Sequence, residues 1–227
     1  MFSLYTLDML AHVTFFIALV YSLQIRSGSA AIRSNTKGEA FIFAVFVAFM
    51  LGLYDIGYGY SADRERYAYS FMRYVNYDVS WEEILAEGEW MFQGYQKVTS
   101  FLGEPQYWFV LTALIYVFNN YIVAKRVAPK SVFLLLLAML GAFCFRGYGV
   151  NTIRAGLALS FVLVGLTYYR NIWKVLVFFF IAYNIHHSTV IPIAAFLVAR
   201  YYNRPKFFYY FWFLCIVLSA AMGLYIT

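Results

Sequence analysis

The sequence predicts an all-α polytopic membrane helix bundle of about eight transmembrane helices, with further interfacial helices in one long loop. Three observations carry that prediction. Hydrophobic residues make up 63% of the chain and charged residues only 12%, more apolar surface than a soluble domain of 227 residues can bury. Apolar runs near membrane length recur along the whole chain. Between them the charges segregate, with lysine and arginine on one set of connections and carboxylates on the other.

In order, the runs are Leu4–Leu23, Ala40–Tyr58, Tyr107–Ala124, Ser131–Phe145, Ile153–Tyr169, Ile172–Ile185, Thr189–Ala199 and Phe207–Tyr225, all read as one transmembrane domain over residues 1–227. The first begins almost at Met1 without a basic leader and reads as a retained span. Asp8 and His12 share a face of it by their four-residue spacing, although exposure near the terminus is the plainer reading. Several later runs are nearer about 15 residues than the roughly 20 that cross a bilayer untilted, so their ends should sink below the headgroups and wall a cavity. The sequence stops at Thr227 just after the last run with no polar tail, the pattern of a fragment or of a chain that lacks its last helices.

Orientation follows from the short loops. Arg26, Arg33 and Lys37, then Lys125, Arg126 and Lys130, then Arg170 and Lys174, then Arg200, Arg204 and Lys206 mark every odd-to-even connection as cytoplasmic, with Glu39 the acidic exception. The opposite loops hold Asp63, Glu65, Asp78, Glu82, Glu83, Glu87, Glu89 and Glu104 and should face outward. The formal charge of +6 therefore reflects topology, and no nucleic-acid partner is indicated. Cys144 and Cys215 lie in apolar runs with no metal-ligand or disulfide spacing and read as packing residues.

The connection from Ser61 to Gln106 is too long for a turn. Apolar residues at helical spacing, Tyr67, Phe71 and Tyr74, then Trp81, Ile84 and Leu85, then Met91, Tyr95 and Val98, predict helices on or in the outer leaflet that form a lid. An acidic solvated loop is the alternative.

Two adjoining runs, Ile153–Tyr169 and Ile172–Ile185, form a hairpin that brings Arg146, Asn151 and Arg154 to the same face as His186, His187 and Ser188. Asn151 is expected to cap the first arm, placing Arg154 in its first turn. There a cation opposes the helix dipole unless an anion shares the site. A guanidinium at a helix N-terminus suits a phosphate; snorkelling to the interface is the simpler role for Arg154 and Arg146. Ser188 and Thr189 should cap the next span, and a histidine there can act as base, acid or hydrogen bonder, or be an interfacial aromatic. Asp63 and Glu89 are candidate bases, while Asp63, Arg64, Glu65 and Arg66 together also fit a solvated ion-paired face.

These residues resemble the EpsG family of exopolysaccharide polymerases, Wzy-like bacterial membrane glycosyltransferases. The resemblance rests on Asp63, Tyr67 and Phe71; Glu89 and Phe92; Arg154 with Ala155 and Ala158; and His186 with Ser188, between about Ser61 and Ala199. Ala155 stands where the family usually has glutamine, and members are usually longer. The resemblance implies polymerisation of oligosaccharide repeat units from an undecaprenyl diphosphate carrier, at the outer face of the bacterial cytoplasmic membrane. It implies a lipid-linked donor and acceptor, with chain-length regulator and flippase proteins as further partners. On this reading Asp63, Glu89 or His186 is the catalytic base, and Arg154, Arg146, Asn151, Arg66, Tyr67, His187 and Ser188 bind substrate. Tyr67, Trp90 and Tyr95 could stack on sugars, and no metal or cofactor is expected. A membrane O-acyltransferase with an intramembrane histidine, or a transporter or flippase for lipid-linked sugars, are the alternatives; a transporter should show internal pseudo-symmetry.

Overall fold

In the computed structural model, which describes residues 37–54, 62–202 and 205–223, all regular structure is helical and no strand forms among the described residues. The run Leu4–Leu23, with Asp8 and His12, lies outside the described residues. The helices are α1 (Lys37–Gly52), α2 (Ala62–Asn76), α3 (Trp81–Ala86), α4 (Trp90–Val98), α5 (Pro105–Val127), α6 (Val132–Leu140), α7 (Phe143–Val150), α8 (Ile153–Leu166) and α9 (Ile172–Ile185), all in a compact unit that ends at Val190. A second unit, Ile191–Thr227, holds nearly all of α10 (Val190–Tyr201) and α11 (Pro205–Gly223).

Local chemistry sets the boundaries. Pro105 opens α5 in its first turn, where its missing N–H costs nothing, and Lys125 and Arg126 close it against the negative end of the dipole. Asn171 caps α9 by accepting from the Lys174 N–H at 3.2 Å. The fourth expected span is broken. Gly141 ends α6, Ala142 is extended, and α7 departs at 76°, which places Arg146 inside a helix rather than just past one.

Only α5 is long and apolar enough to cross a membrane alone among the described helices; α6 and α7 make a second if the bent pair is one span. α8 and α9 have 14 residues each, about 21 Å against roughly 30 Å of hydrocarbon. The helical class is therefore as expected, but eight full-length spans are not seen. Cys144 and Cys215 are exposed free thiols on helices, not buried packing residues.

Two cores organise the first unit. One joins α1, α5, α6 and α7 through Ala44, Ala48, Val117, Leu136, Leu137 and Phe145. Here α1 lies so close on α5 that a Cβ at Gly52 would sit 2.5 Å from the Val110 Cα, so only glycine permits the crossing. The other gathers Phe71 of α2, Phe92 of α4, Trp108 and Phe109 of α5, Ile153 and Leu157 of α8, and Ile185 of α9. Trp108 is fully buried at its centre, stacked on Phe71 with ring centroids 5.6 Å apart.

The long connection is thus packed, not a solvated tail. Its helices cover one end of α5, α8 and α9. Arg64 fixes it from below: 1% exposed, the guanidinium donates to the Leu51 and Gly52 carbonyls at 3.3 and 2.7 Å and lies 3.9 Å from the Phe109 ring centre. It caps the negative end of α1, so the stretch Asp63 to Arg66 is not a uniformly solvated charged face. The buried face of α4 is also rotated from expectation. Gln96 goes fully inside while Val98 is 60% exposed, because the Ser70 hydroxyl and Tyr67 carbonyl satisfy the amide.

Candidate active site

Glu89 is where the lid and the hairpin meet. It occupies the residue before α4 and makes no capping bond within its own helix. Instead one carboxylate oxygen, Oε1, accepts from the His187 backbone N–H at 2.9 Å and lies 2.7 Å from His186 Nδ1. The other, Oε2, pairs with Arg154 Nη1 at 2.6 Å. Burial, the largest single influence, raises the Glu89 carboxyl; the His187 N–H, the His186 ring and the Arg154 charge together outweigh it and hold the group below its usual 4.5. Glu89 is consequently an ionised clamp, and a weak candidate for taking a proton.

Each partner arrives by local geometry. Arg154 is the second residue of α8, as expected, although Thr152 precedes the helix and Asn151 instead ends α7. A Cβ on Gly156 would meet the Tyr148 carbonyl oxygen at 2.5 Å, so glycine allows the sharp return from α7 into α8. Arg154 also lies 5.9 Å over the Phe92 ring. Burial, reinforced by Asp63 and Glu89 and opposed by Arg154, raises the Tyr67 phenol, so it stays protonated.

His186 terminates α9 in extended conformation and precedes a 3-10 turn, His187–Thr189. The capping expected of Ser188 and Thr189 is not seen. The Thr189 hydroxyl donates back to the His186 carbonyl at 2.8 Å, and Ser188 is exposed on the turn. With Nδ1–H donated to Glu89, neutral His186 keeps Nε2 as an acceptor. His187 differs. Its ring stacks on Tyr183 at 4.6 Å and presses on Gly88, where a Cβ would lie 2.8 Å from the imidazole Cε1.

Beside the clamp is a cavity of about 270 Å³ lined by Asp63, Arg66, Tyr67, Ser70, Phe92, Gln93, Gln96 and Arg154. Asp63 and Arg154 thus face one space, with Arg66 and Tyr67. Arg146 is half-buried within α7 and Asn151 is exposed at its end; neither lines the cavity. Trp90 and Tyr95 are used for packing instead of facing it. Trp90 lies against Tyr74, Val79 and Ile84, while Tyr95 packs on Trp108 and its hydroxyl bonds to that of Thr112 at 2.9 Å. Sequence reasoning missed Gly88, Ser70, Gln93 and Gln96. Only the helical offset between Ser70 and Tyr67 hinted at a shared face. Among the described residues, no group of three His, Cys, Asp or Glu side chains is placed to hold a metal.

A guanidinium clamped at a helix N-terminus beside a polar cavity is an arrangement suited to binding an anion. The EpsG family model matches residues 40–226, and the chain belongs to that family. Membership supports a membrane protein of polysaccharide biosynthesis with a polymerase's glycosyltransferase-type role. No curated protein and no solved structure matches the chain.

Proposed function

We propose that this protein polymerises oligosaccharide repeat units carried on undecaprenyl diphosphate, without a metal ion, at the outer face of the cytoplasmic membrane. Its spans form one transmembrane domain, with the lid and active site outward and the basic loops inside. The observation that carries the reading is the single cavity faced by both Asp63 and Arg154. It offers an acceptor for a sugar proton next to a cation for a leaving diphosphate.

In the proposed reaction an acceptor sugar hydroxyl gives its proton to the Asp63 carboxylate as its oxygen attacks the anomeric carbon of the donor. The bond from that carbon to the diphosphate breaks, and the electron pair leaves on the phosphate oxygen. Arg154 and the N-terminal end of α8 stabilise that charge as it develops. Glu89 positions Arg154 and His186 and does not itself take the proton, since both its oxygens are already engaged. Arg66, Tyr67 and His186 Nε2 bind the sugars, with Arg146, Asn151 and Ser188 along the approach. The His187 contribution is its backbone N–H and its packing on Tyr183. Chain-length regulators and a flippase are the partners this chemistry calls for. Neither acyl transfer nor transport draws support from a particular feature of the site.

The test is polymer formation by purified protein from a lipid diphosphate-linked repeat unit. Wild type should extend the chain, while Asp63→Asn should lose about a hundredfold or more of the rate and still bind donor. Normal polymer from Asp63→Asn would move the base to His186, and no polymer from active-folded wild type with any lipid-linked donor would end the reading.

A further inference from the structure

The far end of α5, α8 and α9 carries a second concentration of positive charge, organised quite differently from the first. The Arg126 guanidinium at the end of α5 lies 3.7 Å from the Tyr168 ring centre, and Lys174 Nζ at the start of α9 lies 5.1 Å from the same centre. Tyr168 is held in place by stacking on Phe178, 5.6 Å away and 11° from parallel. Among the described residues no carboxylate pairs with either cation. Glu39 lines a separate cavity beside α1 and α6. The ring's quadrupole attracts both cations, but they repel each other, and an anion between them would remove that repulsion.

An apolar groove adjoins the pair. It encloses about 440 Å³ between the ends of α5 and α8, with Val123, Val127, Leu163 and Leu166 as walls and Arg126 at its rim. Val127 is 64% and Leu163 38% exposed, so the groove opens outward from the bundle. Free phosphate would use the cations but not the walls. A neutral lipid would use the walls but leave the cations uncompensated.

We infer that this groove holds an anionic phospholipid, with its phosphate at Arg126 and Lys174 and an acyl chain along Val123, Val127, Leu163 and Leu166. The occupant is a membrane phospholipid, not the polymerase's lipid-linked sugar, whose proposed site is at the opposite end of the same helices. The binding is independent of the polymerase reading and stands or falls separately.

Native mass spectrometry of the full chain released from nanodiscs of equal phosphatidylglycerol and phosphatidylcholine tests it. Wild type should retain phosphatidylglycerol preferentially. Each cation removed should lower that preference about fivefold, so Arg126→Gln with Lys174→Gln should nearly abolish it, whereas Arg126→Lys should keep most of it. Leu163→Trp should displace the lipid while leaving both charges in place, which separates the groove from general surface attraction. Thermal unfolding in detergent identifies variants that fail to fold, and for these Leu163→Trp decides. Equal retention of the two lipids by wild type, an unchanged preference in the double variant, or, in nanodiscs doped with undecaprenyl phosphate, retention of that lipid to the exclusion of phosphatidylglycerol would each overturn the assignment.

Discussion

The two ends of the α5–α8–α9 bundle both gather cations, but they neutralise them in opposite ways. At one end Arg154 is 35% exposed in its side chain and paired with a 17% exposed carboxylate, Glu89, which also holds His186. At the other, Arg126 and Lys174 share only the Tyr168 ring. The difference bears on what each end can hold. A carboxylate resident beside Arg154 keeps the guanidinium oriented when substrate is absent and competes with any arriving anion, so binding there is exchangeable. A ring supplies no competing negative charge, so the opposite end suits an anion that stays.

The sharpest way to break this contrast is at Arg154. If its charge develops contacts to a leaving diphosphate, Arg154→Gln should cut turnover about 10²–10³-fold. Arg154→Lys should retain part of it, because a point charge remains while the planar fork is lost. Membrane insertion should be normal in both. An arginine that merely reaches for the interface predicts equal activity for arginine and lysine, so assays of the purified variants distinguish the roles, and near-normal turnover by Arg154→Gln removes the residue from the mechanism.

Glu89 comes next in size. Removing its charge leaves Arg154 and His186 without their shared partner, and charge-assisted hydrogen bonds of this kind contribute about 1.5–3 kcal/mol each. Glu89→Gln should therefore lower the rate roughly 10- to 100-fold and raise the donor KM as Arg154 loses its orientation. A variant that lost turnover completely with an unchanged KM would instead indicate that Glu89 handles the proton itself.

A smaller effect is expected at Gly88, which lies in the lid yet touches the hairpin. An added methyl must displace the His187 ring, 2.8 Å from where the Cβ would stand, and with it the backbone N–H that Glu89 accepts. Gly88→Ala should lower activity several-fold and loosen the lid, read as faster amide exchange in α4. Unchanged activity and exchange would show that the ring moves without disturbing the clamp.

How much of this was legible in the sequence depends on the range of the interaction. The helix α9 begins and ends where its apolar run does, since Asn171 caps it and the polar His186 closes it. The convergence of Arg154 with His186 was also legible, because two adjoining runs with a short turn return the chain to the same end. The break between α6 and α7 was signalled only by Gly141, and hydropathy runs straight across it. Least visible was the pairing of Glu89 with residues 97 and 98 positions away. Neither periodicity nor spacing within the lid distinguishes Glu89 from Glu87, which lies two residues earlier and is exposed. The buried Arg64 was hidden for the same reason: alternating charges look solvated until the open end of α1 is placed against them.

The subtlest difference between the two ends is in their response to acid. At the first end, beside Asp63, His186 and His187, the Glu89 carboxyl is held below its usual 4.5, against the opposing effect of its burial, by His187, His186 and Arg154. Because its folded value is depressed, its contribution to stability is complete above the unfolded value and declines as the pH falls through the folded one. Wild type should thus unfold at a higher temperature than Glu89→Gln by a margin that is constant from neutral pH down to about 4.5 and shrinks below it. At the other end no carboxylate among the described residues pairs with Arg126 or Lys174, so Arg126→Gln should shift unfolding by an amount that shows no such loss over the same interval. Parallel thermal scans of the three proteins in one detergent measure both margins. A Glu89 margin that instead grows as the pH falls, starting well above 4.5, would mean the carboxyl is raised in the fold, and the clamp would then be a proton carrier rather than a fixed counter-charge.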